Sequence, residues 1–328
     1  MSWQAGLYVA AVLIPLAAFT IELIGIRLLG RLNAYLATGA IGLSFLLSAV
    51  GFCEYFFVEA EGVLASHHPH ASAHADASAP ENHARDEAAA ESAPAESEAA
   101  ATEPLVWRAR YDWVLGGGDA LPRTGQNLAS PLVIPLAIHI DGLAVIMFLM
   151  VTFIATLIHI YSMGYMHDDP GFPRFFTYLS LFCFSMLGLV ASANVFMIFM
   201  FWELVGVCSY LLIGFWYQEK KNADAANKAF IVNRVGDIGM LVGLGLIWTN
   251  LGTFNINEIN RSLRDKTGQL NVTASAENGG DRVVALRDRE TGEPLRNEAT
   301  SQPRQIPFWV LTLAGLGIFA GCAGKSAQ

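Results

Sequence analysis

Charge is scarce in this chain. Asp, Glu, Lys and Arg make up 15% of 328 residues, against 53% hydrophobic residues and a mean hydropathy of +0.40. That balance excludes an ordinary soluble domain, in which about a quarter of residues are charged. Cysteine is scarce too, and Cys53, Cys183, Cys208 and Cys322 all lie in apolar runs without CxxC spacing. They read as small buried hydrophobes rather than as metal ligands or a disulfide framework. With 20 basic residues against 29 acidic ones, there is no basic footprint for nucleic acid. The N-terminus lacks the basic stretch and small-residue cleavage site of a signal peptide, so its apolar run is expected to stay as a helix. No Ser-His-Asp arrangement, metal-ligand cluster or dinucleotide fingerprint occurs, so any redox cofactor would have to belong to a partner.

What the chain does have is long apolar runs. About 20 apolar residues are enough for a bilayer-spanning helix, and the sequence predicts seven such spans in an all-α polytopic membrane protein. They run from about Leu7 to Leu29, Tyr35 to Val58, Ile138 to Met163, Arg174 to Val190, Val195 to Tyr217, Ala225 to Trp248, and from near Pro307 onwards. Asp141 is placed to cap the third span. The stretch 59–131 is rich in Ala, Glu, Ser, His and Pro and is expected to be a largely disordered loop. Its His-rich tract, His67, His68, His70 and His74, reads as solvated rather than metal-binding. Trp107, Tyr111 and Trp113 suit a membrane interface on the way back in. A second polar insert, 250–305, is expected to be a loop with little core of its own. The domain reading is therefore 1–58, two helices; 59–131, an external loop; 132–249, helices three to six; 250–305, an external insert; and 306–328, part of a seventh helix. Arg27, Arg31, Arg174, Lys220 and Lys221 fall on alternate short loops, which predicts a cytoplasmic side there, with the N-terminus and both inserts outside.

Ionisable residues inside the spans are the candidates for function. A charge at the bilayer centre costs at least ~2.5–3.5 kcal/mol on insertion scales, so it needs a partner or a job. Glu203 is the only charged residue from Val195 to Tyr217. Arg234 and Asp237 are three apart on the sixth span, on one helix face and able to pair. Lys228, nearer the surface, could instead snorkel. His159 lies deep in the third span, as a relay member or as hydrogen-bonded packing. Lys325 sits in Gly324-Lys325-Ser326, but the P-loop glycine five residues before Gly324 is replaced by Phe319, which rules out that nucleotide motif. Lys325 reads instead as a buried partner for a carboxylate. A Lys–Glu pair within a membrane is a proton switch, because separating the pair favours proton release from the lysine.

These motifs resemble a known family. DGLAVIMFLMVTFIATLIHIYSMGYM, RFFTYLSLFCFSMLGLVASANVFMIFMFWELVGVCSYLLIGFWY, and NADAANKAFIVNRVGDIGMLVG followed by AGKSAQ look like subunit L of bacterial NADH:quinone oxidoreductase. That enzyme is respiratory complex I, and the mitochondrial counterpart of the subunit is NADH dehydrogenase subunit 5. The resemblance is weak over 1–58, strong over 138–328, and gives no support to the polar inserts. It implies an antiporter-like subunit of the bacterial inner membrane that translocates protons. Other membrane-arm subunits are then its partners, while NADH, FMN, iron–sulfur clusters and quinone belong to partner subunits and this chain carries no cofactor. Glu203 matches the key intramembrane acid, Lys325 its lysine partner, and Arg234 and Asp237 the pair that modulates them; Lys228 and His159 match motif positions. The family continues into an inverted repeat beyond the position of Gln328, so the resemblance implies a C-terminally truncated or fragmentary chain. The large subunit of a multisubunit sodium/proton antiporter, the membrane subunit of a membrane-bound hydrogenase and a non-pumping scaffold product are the other readings.

Overall fold

The computed structural model describes residues 3–59, 106–116, 132–265, 268–274, 282–288, 291–296 and 302–326. The His-rich tract lies outside the described residues. In chain order the elements are α1 (Trp3–Leu29), α2 (Leu32–Cys53) with a π-helical extension (Glu54–Glu59), β1 (Trp107–Gly116), β2 (Leu132–Ile140), α3 (Gly142–Tyr165), α4 (Phe172–Ala191) and α5 (Val195–Ile213). They are followed by α6 (Lys220–Leu251), α7 (Ile256–Leu263), β3 (Val272–Ala274), β4 (Arg282–Ala285), β5 (Gln305–Pro307) and α8 (Phe308–Lys325). Among the described residues seven helices are long and apolar enough to cross a membrane: α1, α2 with its extension, α3, α4, α5, α6 and α8. The protein is a multi-pass, all-α membrane protein.

Polar caps mark where the spans begin. Asp141 accepts a hydrogen bond from the Ala144 amide at 2.8 Å, as its position before α3 predicts. Asn194 does the same for the Met197 amide at 2.7 Å and starts α5. Gly252 ends α6 in the left-handed conformation, φ 75°, which glycine adopts without a steric penalty. Pro15 is carried inside α1, as membrane helices permit when neighbours cover the freed carbonyl.

Packing divides the spans into two groups. In one, α1 to α4 bury Tyr8, Ile41, Phe148 and Leu187 in a shared core that also takes in Trp107 and Ile140. In the other, α6 and α8 cross through glycines. A Cβ at Gly317 would come within 2.5 Å of the Gly239 carbonyl oxygen, and one at Gly243 within 2.6 Å of the Ala314 oxygen. Small residues let backbones approach this closely, which is how membrane helices gain contact without a hydrophobic driving force. α5 bridges the groups, packing on α4 and α6.

The two ends of the bundle differ. At one end Arg31 Nη2 donates to the His167 carbonyl at 3.5 Å, Arg174 Nη2 to the Phe215 carbonyl at 3.1 Å, and Trp216 Nε1 to Asp169 Oδ2 at 2.7 Å. The basic loops predicted to share a side therefore do so. At the other end β1 and β2 form an antiparallel pair, and the Val195 amide donates to the Phe254 carbonyl at 2.9 Å.

Two loop expectations are corrected there. Trp107–Gly116 is a strand, with a bulge between Asp112 and Val114, paired to the Leu132–Ile140 segment. The apolar run from Ile138 to Ile140 therefore belongs to β2, and the span begins at Gly142. The insert 250–305 also has a core: Leu251, Leu263, Val284 and Leu286 pack with Ile247, Ile306 and Ala314, and β3, β4 and β5 form a three-stranded sheet there. Its apolar residues are too few and too spread to show a period in the sequence, yet they pack on the ends of α6 and α8. At the β2–α3 junction His139 is held below the usual histidine range, chiefly by burial and also by Arg108, with Asp141 acting the other way.

Candidate functional site

Three helices bring their ionisable groups together around Trp202. α5 supplies Trp202, Glu203 and Gly206; α6 supplies Arg234 and Asp237; α8 supplies Lys325 in its last turn. Arg234 Nη1 is ion-paired with Glu203 Oε2, and the Arg234 guanidinium also lies 4.5 Å from the Phe230 ring centroid one turn back. Asp237 is 4% exposed; its Oδ1 accepts a hydrogen bond from Trp202 Nε1 at 3.1 Å, while its Oδ2 is buried without a partner. Lys325 Nζ donates to the Trp202 backbone carbonyl at 2.7 Å and stands 5.3 Å from the Trp202 ring centroid.

Gly206 makes the lysine contact possible. The Trp202 carbonyl is the helical acceptor four residues before Gly206, and a carbonyl oxygen has a second lone pair to offer. A Cβ on Gly206 would lie 2.8 Å from Lys325 Nζ, so glycine there lets the ammonium sit where it does, and a larger residue would make it shift. Asp237 and Arg234 are the charged groups that act on Lys325 across the gap. Trp202 is thus a hub: its indole N–H holds the aspartate, and its carbonyl and ring face hold the lysine.

The pairings differ from those expected. Arg234 goes to Glu203 and not to Asp237, although the three-residue spacing allowed the intrahelical pair. Glu203 does not form an ion pair with Lys325 among the described residues; its cation is Arg234. The reason is geometric, since spacing along α6 sets which of its residues share a face but not which facing helix presents the better partner. Lys228 is exposed on α6 and is not drawn into the cluster. His159 is fully buried in the α1–α4 group, its Nδ1 2.7 Å from the Ala155 carbonyl and its Nε2 without a partner. α3 packs chiefly on α2 and α4, which keeps that imidazole apart from Trp202. Trp202 and Gly206 were not singled out from the sequence; an indole N–H in mid-membrane always needs a partner, and that was the available signal.

Residues 127–176 match the family described as NADH-ubiquinone oxidoreductase (complex I), chain 5 N-terminus, and residues 192–279 the one described as NADH:quinone oxidoreductase/Mrp antiporter, transmembrane. Over these residues the chain is similar to the complex I chain 5 family. Of the chain 5 relatives, NAD(P)H-quinone oxidoreductase chain 5 of Synechocystis is 56% identical over 125 residues, 38% of this chain and 18% of that protein. The chloroplastic NAD(P)H-quinone oxidoreductase subunit 5 of Chlorokybus atmophyticus is 52% identical over 190 residues, 58% of this chain and 25% of that protein. The chain thus spans about a fifth to a quarter of the length of these chain 5 relatives. Among solved structures, an archaeal membrane-bound sulfane sulfur reductase shares the fold at TM-score 0.55 and 13% identity, over 98% of this chain and 44% of the other. The Mrp complex of Dietzia does so at TM-score 0.50 and 19% identity, over 79% and 21% respectively. The second family match runs to residue 279, so family likeness reaches into the insert after α6.

Among the described residues no three His, Cys, Asp or Glu side chains converge as a metal site. The chemistry this cluster offers is proton exchange. An arginine is never deprotonated in proteins, so Arg234 fixes a positive charge next to Glu203, and Lys325 is the cation of the group that can give up a proton.

Proposed function

We propose that this chain is a proton-translocating membrane-arm subunit of an NADH:quinone oxidoreductase. The reaction it serves is electron transfer from NADH to quinone in other subunits, which hold the FMN and iron–sulfur clusters. The observation that carries the reading is the convergence of Glu203, paired with Arg234, and Lys325, held on the Trp202 carbonyl, at one centre made by α5, α6 and α8. A lysine inside a membrane keeps its proton when a carboxylate is paired with it and yields it more readily when the carboxylate is drawn off. Exchange of Glu203 between Arg234 and Lys325 would therefore load and unload one proton per cycle. Asp237, held by the Trp202 indole N–H, balances the charge of Lys325 while the lysine keeps its proton.

The end carrying Arg31, Arg174, Lys220 and Lys221 faces the cytoplasm of a bacterial cell in this reading, and the β1–β2 pair and the insert after α6 face outwards. The names of the relatives, all NAD(P)H-quinone oxidoreductase subunits over the matched region, support the assignment. The second reading is the large subunit of a sodium/proton antiporter, favoured by the family description that includes the Mrp antiporter. The deciding experiment is Glu203→Gln in the assembled complex in membrane vesicles. Loss of dye-reported proton uptake with the complex at its normal level supports the reading. Unchanged protons per quinone reduced would remove Glu203 from the path, and proton movement that requires sodium without quinone reduction would favour the antiporter.

A further inference from the structure

A second carboxyl is buried in the bundle, away from Trp202. Glu22 continues the inward stripe of α1 formed by Ala11, Pro15 and Ala18, and it is 0% exposed. Its Oε1 accepts a hydrogen bond from Ser180 Oγ on α4 at 3.3 Å, and its Oε2 is shielded without a partner. No lysine, arginine or histidine pairs with it among the described residues, and its polar partner is that serine. A buried carboxyl without a cation is neutralised by a proton, because an isolated charge in an apolar interior is the costlier state.

A lane of buried polar groups connects the two carboxyl sites. Ser180 and Cys183 lie three apart on α4, and both are buried. Cys208 Sγ on α5, which is also buried, is 3.6 Å from Ser185 Oγ on α4. Buried hydroxyls and thiols thus line α4 and α5, the helices that lie between α1 and the Trp202 centre.

We propose that Glu22 is a proton-binding group of the transport cycle, which makes α1 part of the proton path. This rests on the reading of the Trp202 centre as a proton site. The O–H bond of the Glu22 carboxyl first breaks, releasing its proton and leaving the carboxylate. The proton given up when an N–H bond of Lys325 breaks then forms an O–H bond at Glu22 Oε2, without movement of electrons.

The test uses the assembled complex in membrane vesicles, with Glu22→Gln, Glu22→Asp and Glu203→Gln compared for protons moved per quinone reduced. Infrared difference spectra report the C=O stretch of protonated carboxyls. Glu22→Gln is expected to assemble normally, to move fewer protons per quinone reduced and to lose one carboxyl band, while Glu22→Asp retains pumping. Normal pumping in Glu22→Gln with loss in Glu203→Gln overturns the Glu22 proposal and leaves the Trp202 centre standing. Normal pumping in both variants overturns both. If Glu22→Gln fails to assemble, Ser180→Ala decides: a shifted carboxyl band, from loss of the bond to Oε1, supports the proposal, and an unshifted spectrum overturns it.

Discussion

Trp202 does at the scale of one residue what the sequence left to an ion pair. Its carbonyl and ring position the lysine and its indole N–H positions the aspartate, so small changes around it act on the site without touching a charge. Gly206→Ala puts a methyl 2.8 Å from Lys325 Nζ and pushes the ammonium off the Trp202 carbonyl. A lost hydrogen bond to a charged group is worth about 1.5–3 kcal/mol, so proton pumping should fall several-fold while the complex assembles normally. Paired measurements of proton uptake and subunit level check this; equal losses of both would mark Gly206 as a packing residue. Trp202→Phe keeps the ring and carbonyl but leaves both Asp237 oxygens unpaired. It should slow pumping without releasing Lys325, seen as retained cross-linking between cysteines placed at the ends of α5 and α8. At this scale the sequence was legible in part. The cost of charge in a bilayer marks Glu203, Arg234, Asp237 and Lys325, and all four converge. Their partners were not legible, because Glu203 must choose between cations on two helices and no spacing within one helix encodes that choice. Glu22 escaped notice as a site for a related reason. A single carboxyl in an apolar run shows its cost, but only the α1–α4 contact shows that it is sealed and half-satisfied.

Among the elements, α6 and α8 depend most on their sequence. Gly239 and Gly243 face Gly317, and Gly236 faces Gly321 and Gly324, so the backbones themselves are in contact. Gly317→Leu would force the helices apart at an overpacking cost of about 1–3 kcal/mol and withdraw Lys325 from Trp202, since α8 carries both. Gly245→Leu serves as the control, because nothing lies within 4 Å of the position its Cβ would take. Thermal unfolding in detergent should show a clear drop in midpoint for the first and little change for the second. Equal midpoints would mean that the glycine contact contributes nothing measurable. The seven spans were readable because each must present some 20 apolar residues to lipid, a signal that tertiary context cannot erase. The strands were not. β3 and β5 have three residues each, too short for an alternation to register, and Trp107–Gly116 sits at the end of a low-complexity stretch whose composition masks it.

For the whole molecule, the two ends differ in composition as well as position. One end gathers Arg31, Arg174, Lys220 and Lys221 around short turns fixed by Arg31–His167, Arg174–Phe215 and Trp216–Asp169 contacts. The other carries the β1–β2 pair and the small α/β insert, tied to the bundle by the Arg304 bond to the Asn250 carbonyl at 2.9 Å. Short loops rich in Lys and Arg are retained in the cytoplasm, whereas long polar segments cross largely regardless of charge. Both rules therefore give the same orientation. Single cysteines test it, on a background in which the exposed native Cys53 is changed to serine. A cysteine at Asp168, in the α3–α4 turn, should react with a membrane-impermeant maleimide only in inside-out vesicles. A cysteine at Glu293, in the insert, should react only in right-side-out cells. The opposite result at both positions would invert the orientation and place the Lys325 end of α8 nearer the outer face. The Arg234–Glu203 and Lys325–Trp202 contacts would stand unchanged, but the side from which the lysine is loaded would be reversed.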